Sequence, residues 1–145
     1  MDNVEFLILR NLLHNEKYVR KVIPFIKADY FENRSQKIVY EEILKFVEVY
    51  NKPVTKEILC IETEKRQDIT DGDYKEITQL ISSLEEAPTE FEWLVSTTEK
   101  WCRDRAIYLA LMESIQIADG QDEKKNRDAI PTILSDALAV SFDTH

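Results

Sequence analysis

The chain has 145 residues, 43% of them hydrophobic and 32% charged, a balance that fits one globular domain with a modest core and excludes a disordered chain. Its 28 acidic residues against 19 basic ones leave a net charge of −9, which opposes tight non-specific binding to duplex nucleic acid by the chain as a whole. No apolar run approaches the roughly 18 residues of a membrane span, and the opening Met1-Asp2-Asn3-Val4-Glu5 carries acid where a secretory signal carries base. Cys60 and Cys102 stand alone in helical patterns, so reduced thiols in a cytoplasmic protein are expected.

Nearly every segment carries helical spacing. A first helix starts at an Asp2 cap with Glu5 at its third position and holds Phe6, Ile8, Leu9, Leu12 and Leu13. A second starts near Asn15, runs through Val19, Val22 and Ile23, and is ended or kinked by Pro24. After a turn at Ala28-Asp29-Tyr30-Phe31, a third helix covers about Arg34 to Tyr50, with Val39, Ile43, Phe46, Val47 and Tyr50 on one face. Asn51-Lys52-Pro53 punctuates the chain, and Thr55 caps a short helix containing Ile58, Leu59 and Ile61. Thr70 and Asp73 make a capping box that opens a helix striped with Tyr74, Ile77, Leu80, Ile81 and Leu84, which stops at Glu85 to Pro88. Two glycines, Gly72 and Gly120, leave little material for hairpin turns between strands.

The longest helix is expected from Thr89 to about Ala118. Thr89 is placed to cap it, Glu92 to complete a capping box, and Pro88 and Trp93 to staple its start. Roughly 29 residues at about 1.5 Å each give about 43 Å, so the helix spans a domain of this size or projects from it. Trp93 and Trp101, eight residues apart, fall on nearly one side of it, as core residues or interface anchors. Its middle, Ala106-Ile107-Tyr108-Leu109-Ala110-Leu111-Met112, is apolar all round and asks for cover on more than one side. A polar connection, Asp119 to Asp128, carries Lys124-Lys125-Asn126-Arg127 at its tip. A last helix, Ile130 to Ser141, then returns with Ile130, Ile133, Leu134, Ala137 and Leu138 on one face. One returning helix covers one side only, which leaves an apolar face for a second copy of the chain. Its expected anchors are Tyr108, Leu111, Met112 and Ile115 with Leu134 and Leu138, some of which must serve as hairpin core instead.

The sequence offers little for catalysis. Gly72 and Gly120 are isolated, so no Gly-x-x-x-x-Gly-Lys-Ser/Thr phosphate cradle can be assembled. His14 and His145 have no second ligand at suitable spacing on a shared face, which argues against a metal. Cys102 has no base nearby in sequence. The adjacent acids Glu41-Glu42 and Glu85-Glu86 point apart on a helix and are expected on solvated faces. The stretch Lys17, Arg20, Lys21 and Lys27 is locally basic, either as ordinary surface or as a contact for nucleic acid or an acidic partner.

The order of these signals resembles the N-terminal domain of DnaB-type replicative helicases. An early Glu before a Leu-rich first helix is matched by Glu5-Phe6-Leu7-Ile8-Leu9-Arg10-Asn11-Leu12-Leu13, and the family's following segments by Asp29-Tyr30-Phe31 and Ile38-Val39-Tyr40. The T-even-type phage branch is similar at Asp29-Tyr30-Phe31-Glu32, Val49-Tyr50, Pro53 and Leu80-Ile81-Ser82. It is most similar at Trp93-Leu94-Val95, Thr98-Glu99-Lys100, Arg105-Ala106, Ala129-Ile130-Pro131 and Ser141-Phe142-Asp143. Ser35 stands where many bacterial members carry His, which suits the phage branch. The family's ATPase motor does not follow Ser141-Phe142-Asp143 here, so the chain is either a domain of a helicase or a free-standing relative.

Residues and resemblance together give a set of expectations. The fold is all-α: one collar domain over residues 1–145, made of a globular head, 1–87, and an antiparallel helical hairpin, 88–142. The resemblance implies a non-catalytic oligomerisation and docking domain of a hexameric ATP-dependent DNA helicase, with ATP and magnesium confined to the absent motor and no cofactor in this chain. It implies pairing through the hairpin into a dimer and a hexameric ring, docking of primase or a helicase loader, weak or indirect contact with DNA, no membrane, and residence in the cytoplasm, the host's if phage-encoded. Two other functions fit the same features: the helicase-binding domain of a primase, and a stand-alone acidic phage-type protein that blocks a host machine or mimics DNA.

Overall fold

The structure, a computed structural model, describes residues 4–143. Among them every regular element is helical: α1 (Val4–His14), α2 (Glu16–Val22), α3 (Arg34–Tyr50), α4 (Lys56–Glu64), α5 (Asp71–Ser83), α6 (Phe91–Ala118) and α7 (Ile130–Leu138), with 3-10 turns at Ile23–Phe25, Ala28–Tyr30 and Arg127–Ala129. The protein is all-α, as its sequence predicts. The expected Asp2 cap and the histidine His145 lie outside the described residues. Contacts divide the chain into two compact units, Met1–Val95 and Ser96–His145, with the division inside α6. The boundary at 87/88 read from sequence marks where the longest helix is approached; the contacts divide a little later, because the first turn of α6 shares its surroundings with the head. There Leu94 is buried and Lys17 Nζ lies 4.3 Å from the centroid of the Phe91 ring.

Short polar side chains start the head helices. Asn15 accepts from the Tyr18 amide at 3.0 Å, Asn33 from Gln36 at 2.9 Å and Thr55 from Ile58 at 3.2 Å. Thr70 and Asp73 exchange both bonds of a capping box at 3.0 Å, satisfying donors that the first turn cannot bond itself. Asn51 ends α3 in the left-handed region at φ 51°, a conformation that a short polar side chain tolerates. Pro24 ends α2 by forcing the tighter turn Ile23–Phe25.

The core of the head forms around α3, which packs against α1, α4, α5 and the Ala28–Tyr30 turn. Ile38, Val39, Tyr40 and Ile43 are buried with Ile8, Leu9, Leu12, Tyr18, Leu59, Ile77, Ile81 and Leu84. The Tyr40 hydroxyl donates to the Ile26 carbonyl at 2.7 Å, giving a buried polar tip its partner. The expected α3 stripe continues past this core: Phe46 and Val47 are half-buried and Tyr50 is exposed, because α3 outruns the layer it packs on. Ile61, expected on the apolar stripe of α4, is exposed as well.

Three expectations about α6 are corrected. Its cap is Glu90, whose carboxylate accepts from the Glu92 amide at 3.2 Å and the Trp93 amide at 2.6 Å. Thr89 instead accepts from Arg10 and Asn11 of α1. Pro88 and Trp93 are both exposed and form no staple. The two tryptophans part company, Trp93 exposed and Trp101 buried, since eight residues at about 100° each leave them about 80° apart.

In the second unit the chain reverses along α6. Arg127 donates to the Ala118 carbonyl and Lys125 pairs with Glu113 at 2.7 Å at one end. At the other end the Phe142 amide and the Ser141 hydroxyl donate to Glu99 Oε2, at 2.7 and 3.3 Å, and Arg103 Nε donates to the Val140 carbonyl at 3.0 Å. This pairing of 127 with 118 and of 140–142 with 99–103 is an antiparallel hairpin. The last helix is shorter than expected, ending at Leu138 rather than Ser141. Residues 140–142 leave the helical ladder because their polar groups bond to Glu99 and Arg103.

Candidate interaction surface

On α6, Ala110, Ser114 and Ile117 are buried and share one side. Tyr108, Leu111, Met112 and Ile115, at i, i+3, i+4 and i+7, form the other side and stay 48%, 47%, 42% and 54% exposed. On α7, Leu138 is 65% exposed while Leu134 is half-buried and Ala137 buried. The six residues singled out from sequence therefore comprise five exposed side chains and one half-covered one. A single exposed apolar residue is ordinary, but four large ones in consecutive turns of a helix form a contiguous surface. Arg105 covers part of it, its guanidinium 4.9 Å from the Tyr108 ring centroid.

The basic stretch is less free than it looks in sequence. Lys17 stacks over Phe91 and Arg20 pairs with Glu16 at 2.6 Å, while Lys21 and Lys27 are exposed. Of the loop cations, Lys125 is engaged with Glu113 and Arg127 with the Ala118 carbonyl.

Glu42 corrects the expectation of a solvated face. Its side chain is 3% exposed and pairs with Arg66 at 2.7 Å, and Arg66 also reaches Glu41 at 3.1 Å and Asp68 at 2.8 Å. These carboxylates hold the guanidinium well above its ordinary pKa, Asp68 foremost, and Arg66 in turn holds Asp68 below the usual carboxylate range. The signal was present in the sequence: Glu42 falls within the stripe Ile38, Val39, Ile43, where an acid needs a partner. What sequence could not supply was the partner, 24 residues away in the loop after α4.

No cluster among the described residues has the composition of a metal site. His14 Nε2 sits 2.6 Å from the Leu84 carbonyl, so that nitrogen carries the proton and donates. Cys60 and Cys102 are free thiols; burial pushes Cys102 up to about 12, with the Glu99 charge adding to it, and also raises Cys60. A thiol so shifted stays protonated at neutral pH. No described helix is long and apolar enough to cross a membrane.

No protein-family model matches the chain. It is 32% identical over 147 residues to a DnaB-like replicative helicase of Enterobacteria phage T4, an alignment covering 96% of this chain. The chain is related to the DnaB-type helicases. It spans 31% of the length of the phage T4 relative. Its fold matches the crystal structure of the N-terminal domain of DnaB helicase from Mycobacterium tuberculosis with a TM-score of 0.60, covering 93% of both chains at 15% identity. At that identity the likeness concerns the fold alone.

Proposed function

We propose that this chain serves as the collar of a hexameric, ATP-dependent replicative DNA helicase. The collar is itself non-catalytic, pairs with a second copy through the hairpin, and docks a primase or helicase loader in the host cytoplasm. The observation that carries the reading is the exposed apolar face of Tyr108, Leu111, Met112 and Ile115 on α6, with Leu138 also exposed on α7, in a relative of DnaB-type helicases. An isologous pair buries such a face twice over, which makes a dimer its simplest cover. Nucleotide hydrolysis needs a phosphate cradle, a magnesium ligand and a group that orients water. The sequence supplies no glycine-rich cradle, so ATP and magnesium belong to a motor outside these residues. The phage T4 relative is a DnaB-like replicative helicase, which favours this reading over a primase domain.

The net charge of −9 supports partner docking over a strong grip on DNA, since tight binding takes several phosphate contacts. The test is to compare binding of the cognate primase and of single-stranded DNA in one buffer near physiological salt, with ATP turnover assayed on the same preparation. Primase or loader affinity with weak DNA binding and no turnover is the expected result. Tight DNA binding without affinity for either protein would move the function to nucleic-acid recognition.

A further inference from the structure

The head carries a second exposed apolar surface that hairpin pairing does not use. Val49, Tyr50 and Ile61 are 67%, 59% and 52% exposed. A groove of about 500 Å³ runs between the end of α3 and α4, lined by Phe46, Val49, Tyr50 and Ile58 together with Glu42, Lys45 and Glu62. Phe46 and Tyr50 stack along one wall with ring centroids 4.7 Å apart. Ile61 follows Ile58 by one turn, which puts it on the same side of α4.

The groove contains a buried charge. Arg66 occupies Glu42 Oε2, but Oε1 has no aligned hydrogen bond, and its cation is Lys45 Nζ at 2.9 Å. Lys45 is itself 56% exposed and divided between Glu42 and Glu62, the latter at 3.8 Å, while Glu62 has a closer cation in Lys65 at 2.8 Å. A lysine on a flexible stem, half in solvent, is a replaceable counter-ion. The exposed Glu48, Glu57 and Glu64 lie on the same two helices.

We propose that this groove docks a basic amphipathic helix of a partner protein, its apolar side chains against Phe46, Val49, Tyr50 and Ile58 and a Lys or Arg replacing Lys45 between Glu42 and Glu62. The proposal rests on the docking reading above and assigns it a place. A second copy of the chain is the poorer occupant, because the reading above already gives it the hairpin face, whereas this groove carries the carboxylates of Glu42 and Glu62 and calls for a cationic partner. The α4 wall of nine residues is about 13 Å long. That length matches the i, i+3/i+4, i+7 anchors by which a helix sits in an apolar groove.

The probe is a fluorescein-labelled synthetic peptide of about 18 residues, roughly five helical turns, with leucines on that stripe and lysines elsewhere. A scrambled peptide of the same composition is the control. Anisotropy with the intact chain should give saturable binding that weakens between about 0.05 M and about 0.3 M salt. Ile61→Glu and Val49→Glu, both at exposed positions that leave the melting temperature within a few degrees, should weaken it about tenfold or more. Leu111→Asp should leave it unchanged. Equal binding of the scrambled peptide, or wild-type binding by both groove variants, would overturn the proposal. So would loss of binding in Leu111→Asp, which would place the peptide on the hairpin. Self-association is read separately by sedimentation, so a monomer that still binds the peptide contradicts hairpin pairing and leaves the groove standing.

Discussion

Arg66 gathers Glu41, Glu42 and Asp68 around one guanidinium and thereby ties α3 to the loop between α4 and α5. Arg66→Ala leaves Glu42 buried with only Lys45 for company, and removing one partner of a buried pair is expected to cost about 3 kcal/mol. The sign with pH follows from Asp68, whose carboxyl Arg66 holds below its ordinary value. A depressed carboxyl stabilises the fold above its unfolded pKa, and that stability is lost as pH falls through the folded value. Denaturant melts should therefore show a gap between wild type and Arg66→Ala that is full at neutral pH and narrows below about pH 4. Cys102 makes a separate residue-level case. Buried and protonated, it should resist alkylation in the native protein, so a Cys60→Ser variant should show no reactive thiol until unfolded.

Among the elements, the hairpin's return depends on Glu99 and Arg103 more than on the length of α7. Glu99 accepts from the Phe142 amide and the Ser141 hydroxyl and lies 3.7 Å from Arg103. Glu99→Ala removes the carboxylate to which the Phe142 amide and the Ser141 hydroxyl donate and should destabilise the chain by about 1–3 kcal/mol. Faster amide exchange at Phe142, with α3 unaffected, is the measurement that checks it. The head elements were legible because their signals are local: Asn15, Asn33, Thr55 and the Thr70–Asp73 pair cap the helices that the sequence places after them. The end of α7 was not, since its stripe continues to Ser141 and it is Glu99 and Arg103, 37 to 43 residues earlier, that divert the polar groups of residues 140–142. Thr89 failed as a cap for a similar reason: its hydroxyl serves Arg10 and Asn11, and Glu90 takes the vacancy.

At the scale of the whole molecule, the described residues leave an apolar surface uncovered in each compact unit. The hairpin face was legible because an all-round apolar helix has only one returning neighbour. The head groove was not, because Val49, Tyr50 and Ile61 carry the same spacing as core residues and only the end of the packed layer exposes them. The proposed collar stands on pairing of two copies through the hairpin face, and sedimentation of the chain across a wide concentration range decides it. Wild type should sediment as a dimer or larger at high concentration. Leu111→Asp, which sets a charge in the middle of the face, should weaken association by at least about 2 kcal/mol. A wild-type chain that remains strictly monomeric at the highest concentration, or a Leu111→Asp variant that associates as well as wild type, would contradict it.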